Sequence, residues 1–104
     1  MRVLKLSADT STIFKMPVCS TVLSVGIQRG NPVIWFEEPD LEKVGYEPEA
    51  WPTVDVVFDV VPTGNEVKDN MVFVGTVQRP RRSDPTRYSV VHVYMNRSKF
   101  INFR

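Results

Sequence analysis

The stretch "TVLSVGIQRGNPVIWFEE", residues 21–38, holds two apolar runs of strand length on either side of Arg29-Gly30-Asn31. In the first run Leu23, Val25 and Ile27 share one side, and Val22, Ser24, Gly26 and Gln28 the other. That period of two belongs to a half-buried strand and not to a helix. Gly30 can take a positive φ, so the spacing predicts a hairpin with a three-residue, bulged turn. Pro32 has no N–H to give a ladder and is expected at the first position of the returning strand. Along that strand Ile34 and Phe36 share one face, while Val33, Trp35 and Glu37 share the other. Both faces are therefore apolar at the centre. One must cover the core; the other must be covered by the 38–52 insert, by the N-terminal strand or by another molecule, with Trp51 the intramolecular cover expected for a buried Trp35.

The same period extends along the chain. In "TVDVVFDVV", residues 53–61, Val54, Val56, Phe58 and Val60 alternate with Asp55 and Asp59, which read as a solvated face. "RVLKL" (2–6), "TIFKM" (12–16), "MVFVGTVQ" (71–78) and "RYSVVHVYM" (87–95) complete seven β-rich segments. Sustained helical stripes are missing. Asp40–Trp51 comes nearest, but Gly45 and Pro48 limit it to a turn or two. One-faced strands must pack against another sheet or close on themselves. The expected fold is therefore all-β, a compact antiparallel sandwich or small barrel of about seven strands with at most one short helix. It would form a single domain over 1–104, with an acidic insert at 38–52, an arginine-rich loop at 79–87 and a tail at 96–104.

Composition narrows the function. An apolar fraction of 42% and a charged fraction of 24% are ordinary for a globular domain. Neither a signal peptide nor a membrane span is expected, since no apolar run approaches spanning length. The single cysteine, Cys19, excludes an internal disulfide and a thiolate metal site. His92 is the only histidine; it is expected as a packing residue, because Ser89 has the opposite strand parity and nothing places Cys19 beside it. Glycine-rich phosphate loops are absent. No enzyme activity, cofactor or metal is expected.

Charge is unevenly distributed. Residues 1–76 hold six basic and eleven acidic side chains; residues 77–104 hold seven basic and one acidic. A sheet that interleaves the two segments would mix these charges in space. Otherwise Arg79, Arg81, Arg82 and Arg87 form an electrostatic footprint for a protein or for nucleic acid. Binding residues concentrate on loops held by a rigid scaffold. The candidate partner-binding residues are those four arginines together with Tyr46 and Trp51 of the insert and Phe100 and Phe103 of the tail.

"TIFKMP", then Gly30-x-Pro32-x-x-Trp35, Thr63-Gly64 and Gly75-Thr76 occur in an order that resembles a small family of uncharacterised bacteriophage and prophage proteins, over Val3 to Met95. Members often carry histidine and proline after the Thr-Gly turn, where this chain has Asn65 and Glu66. The family offers no activity to transfer. The resemblance implies a host or phage protein as partner, in the host bacterial cytoplasm. The alternative is a virion component whose "KFINFR" tail adds a strand to a neighbour; nucleic-acid binding through the arginine loop is the third reading.

Overall fold

A computed structural model describes residues 2–8 and 10–104. Eight strands form two four-stranded sheets packed face to face, without closing into a barrel. One sheet has the order β1 (Val3–Ser7), β4 (Asn31–Glu37), β3 (Thr21–Gln28), β8 (Asn102–Phe103). The other has the order β2 (Thr12–Pro17), β5 (Thr53–Pro62), β7 (Tyr88–Asn96), β6 (Met71–Pro80). All seven expected segments are strands. The eighth, β8, is two residues long and pairs parallel with β3, the one departure from an antiparallel arrangement.

The core follows the alternation, apart from Val22, which a bulge turns inward. Phe36, Ile34, Val22, Val56, Phe58, Val93, Met95 and Met16 fill the space between the sheets and are almost wholly buried. The insert contains a four-residue helix, α1 (Leu41–Val44). The Asp40 carboxylate accepts from Lys43 N at its start, and Gly45, at φ 75°, ends it.

The hairpin departs from expectation in two ways. Gln28 pairs with Asn31, so the turn has two residues, Arg29 and Gly30, with φ of 52° and 81°. Two consecutive positive φ values are the mark of a type I′ turn, whose twist matches that of the strands. Pro32 is consequently the second residue of β4, opposite Ile27. Its carbonyl points to β1 and accepts from Ala8 N, so its missing N–H would lie where β1 has already ended. Second, a bulge at Leu23 sets Val22 opposite Phe36 and Ser24 opposite Trp35. Val22 therefore joins Val25 and Ile27 on the core side, reversing the parity expected for it.

Trp35 is half-buried on the outer face, its ring lying across Gly26. A Cβ at Gly26 would stand 2.8 Å from that ring, so the absent side chain is what lets the indole lie flat. Trp51 is not its cover; it sits elsewhere, as described below.

Candidate functional site

The strands run between two ends of an elongated molecule, 50 Å along its longest axis. The eight candidate residues fall into two groups, one at each end.

At the first end the turn between β2 and β3 is the organiser. Val18 and Cys19 share one peptide unit, and its two polar atoms point in opposite directions. The Val18 carbonyl accepts from Trp51 Nε1 at 2.7 Å, and Cys19 N donates to the Phe100 carbonyl at 2.8 Å. The acidic insert and the tail are thus fastened to opposite sides of the same peptide. Tyr46 stands edge-on to Trp51, with ring centroids 5.0 Å apart. Tyr46, Phe100 and Phe103 are 53%, 45% and 40% exposed. Between Phe100 and Phe103, Ile101 turns inward and is buried. A groove of about 300 Å³ adjoins this turn, lined by Pro17, Pro39 and Leu41 and edged by Arg2, Glu38, Asp40 and Glu42. The tail "KFINFR" pairs with the chain's own β3, and Asn102 N and Arg104 N donate to Ser20 and Val22 carbonyls.

At the second end the β3–β4 turn meets the β6–β7 loop. Arg79 and Pro80 belong to β6, so the loop proper is 81–87. A notch of about 340 Å³ is lined by Gly30, Asn31, Arg79, Arg81, Arg82 and Ser89, among others. A groove of about 690 Å³ lies on the other side of the turn, with Lys5, Arg29, Gln28 and Val33 along it. The two share Asn31 and form one basic surface around the turn. Asp84 is the one carboxylate of the loop, and it is engaged within it. It accepts from Thr86 Oγ1 at 2.6 Å and Thr86 N at 3.1 Å, and lies 3.6 Å from Arg87.

The hydrogen bonds from Thr86, side chain first and backbone second, hold the Asp84 carboxyl below its ordinary value of 3.8. A lowered folded-state value means that the carboxylate stabilises the loop above the ordinary value and loses this role as pH falls through the folded one. Acidification below pH 3.8 is therefore expected to loosen residues 84–87 before the sheets. Amide shifts of Thr86 and Arg87 in a pH titration by NMR check this; shifts that follow those of the core strands would refute it.

The charge asymmetry of the sequence is mixed at one end and kept at the other. Lys99 and Arg104 return with the tail to the end that carries the acidic insert, and Lys99 Nζ stands 5.2 Å from the Phe100 ring. The arginines of 79–87 stay together and gain Arg29 and Lys5 from the opposite sheet.

Two side chains between these ends behave differently from expectation. Asp59 is 5% exposed and not solvated; Ser11 Oγ donates to one of its oxygens, and Lys68 Nζ lies 3.7 Å from the other. Asp55 is the solvated one, 3.1 Å from Lys15. His92 does more than pack, since both its ring nitrogens are occupied: Nε2 meets Thr63 Oγ1 and Nδ1 meets Thr76 Oγ1, each at 2.9 Å. Ser89 points to the inner face of β7, and Cys19 lies at the far end of the molecule, so neither approaches the imidazole.

A family match covers residues 2–102, described as a domain of unknown function, DUF7352. The chain belongs to the DUF7352 family. Comparison with curated proteins and with solved structures returns no match. The DUF7352 match takes in both ends of the sandwich, including the arginine loop and the tail as far as Asn102. Among the described residues no three His, Cys, Asp or Glu side chains come together to hold a metal ion, and no helix is long and apolar enough to cross a membrane. Sequence reasoning named the eight candidates one by one. It missed the turn 17–20 that joins four of them and the contribution of Lys5 and Arg29 to the other four.

Proposed function

We infer that this chain is a small non-enzymatic binding protein that engages a host or phage protein through the end built on turn 17–20. The carrying observation is the gathering of Tyr46, Phe100 and Phe103, from segments fifty residues apart, as exposed aromatics around one peptide unit. Aromatic side chains with modest ordering cost are the usual energetic anchors of protein interfaces. The neighbouring groove offers an apolar floor edged by Asp40, Glu42 and a Glu38 paired with Arg2, a net negative rim that suits a partner segment carrying an apolar side chain flanked by basic ones. The resemblance to bacteriophage and prophage proteins supports a host enzyme or defence component as the target, in the bacterial cytoplasm.

The test is affinity capture from host lysate with the wild-type chain and a Tyr46→Ala/Phe100→Ala/Phe103→Ala variant. A specific protein retained by the wild type is expected to fall at least about tenfold with the variant, as loss of interface anchors implies. Thermal unfolding of the variant checks that its fold is intact. Equal recovery by both chains would refute the assignment.

A further inference from the structure

The basic end is separate from the aromatic end and calls for a different ligand. We propose that it binds single-stranded nucleic acid, with the phosphates in the notch between the β3–β4 turn and the loop 81–87, and the bases laid along the outer face of the β6–β7 ribbon.

Three observations carry this. The notch and the adjoining groove set guanidinium and ammonium groups from both sheets around one turn: Arg29 and Lys5 on one side, Arg81 and Arg82 on the other. Ser83, Ser89 and Asn31 add neutral donors, the mixture that phosphodiester oxygens accept from. The one carboxylate of the loop, Asp84, is turned to Thr86 and Arg87.

The surface leading out of the notch suits bases. Strands β6 and β7 contain no Asp or Glu between Met71 and Pro80 or between Tyr88 and Asn96. On their outer face Tyr88 and Phe73 are more than half exposed, and Phe73 stands edge-on to Tyr94 at 5.6 Å. Tyr88 and Tyr94 share this face six residues apart on β7, about 20 Å by the strand rise. A few nucleotides of extended strand span such a distance, and every base has a face to stack on an aromatic ring. Gln78 lies between them, exposed, and supplies a polar contact, beside Thr76 and His92, which are hydrogen-bonded to each other. An acidic protein would satisfy the arginines but leave this aromatic strip, whose one neighbouring carboxylate on β5, Asp59, is buried and held by Ser11 and Lys68, unused. A duplex keeps its base faces stacked inside and would leave it unused as well.

The test is fluorescence anisotropy with a labelled oligothymidylate of about 12 nucleotides, a duplex of the same length and polyglutamate as competitor. At about 20 mM salt the single strand is expected to bind more tightly than the duplex. Affinity should fall with salt at a logarithmic slope near −3, as about four neutralised phosphates imply. Arg81→Ser/Arg82→Ser should lower affinity at least about tenfold and flatten the slope, whereas Tyr88→Ala should weaken binding several-fold with the slope unchanged. The Tyr46→Ala/Phe100→Ala/Phe103→Ala variant should bind oligothymidylate as the wild type does. That keeps failure here distinct from failure of the protein-binding reading. No binding at low salt, equal displacement by polyglutamate, or an indifferent Tyr88→Ala would each overturn the proposal.

Discussion

Gly75→Val is expected to lower the unfolding free energy by about 3 kcal/mol, near the upper end of what overpacking costs. Gly75 lies on β6 just beyond a bulge at Val74, opposite Val93, and faces the core. A Cβ built there overlaps Val25 Cγ1 of β3. The two sheets approach closely here. The overlapping atom belongs to a β-branched side chain, stiff at χ1, and Val25 packs against the core from the opposite strand. It has little room to withdraw, so the sheets would have to separate. For a domain of this size such a loss lowers the melting temperature by about 10–20 °C. Urea denaturation checks it through a lower midpoint with an unchanged slope. The cause is tested by a cycle: Gly75→Ala alone should destabilise, and adding Val25→Ala should return part of the loss, because the offending methyl is gone. Independent, additive effects would show that the glycine serves backbone conformation and not sheet spacing. Gly26→Ala is the natural comparison. Its obstacle is the Trp35 ring on the outer face, which can swing into solvent, so its cost should be smaller.

How far these features could be read from sequence depends on how local their causes are. The strands were legible because alternation is a property of neighbours: Val56, Phe58 and Met95 are buried as their parity requires. The turn length was misjudged because Pro32 was assigned to the start of β4. The bulge at Leu23 left no trace, because Val22, Leu23 and Val25 are apolar alike and any of them could face inward. Asp59 looked like Asp55 in the pattern; only the approach of Ser11 and Lys68 from distant segments separates a buried carboxylate from a solvated one. The candidate residues were legible as types, arginine in a loop and aromatics in inserts. Their grouping was not, because one shared peptide unit, residues 18–19, brings positions 46, 51, 100 and 103 to one end.

That division also explains the charge pattern. A chain with seven cations and one acid in its last 28 residues could have neutralised itself on folding. It does so only in part, since β8 carries the tail back to the acidic insert while the β6–β7 turn carries the arginines the opposite way. Antiparallel geometry forces this, because a strand of nine residues puts its two ends on opposite ends of the sheet. Two surfaces of different chemistry on one rigid body are the outcome.

The tail is the piece that most directly joins stability to the proposed contact, and Ile101→Ala tests the joint. Ile101 is buried in the core while its neighbours Phe100, Asn102 and Phe103 remain exposed, so one side chain anchors the whole segment. Truncating a buried isoleucine to alanine costs about 3 kcal/mol through lost burial and the cavity left behind. The chain can limit that loss by letting the tail detach, which returns conformational entropy to the segment but strips partners from Cys19 N and from the Ser20 and Val22 carbonyls. Both routes predict a measurable signature. If the tail stays docked, the urea midpoint falls by the full amount. If it detaches, the midpoint falls less, while the amides of Cys19, Asn102 and Arg104 lose protection from hydrogen exchange. An unchanged midpoint with unchanged protection would show that Ile101 is not the anchor. In the detached case Phe100 and Phe103 are no longer held at the end that carries Tyr46, and capture of the protein partner should fail while oligothymidylate binding at the arginine end persists. Loss of both activities together would instead mean that the two ends are not independent surfaces on one scaffold.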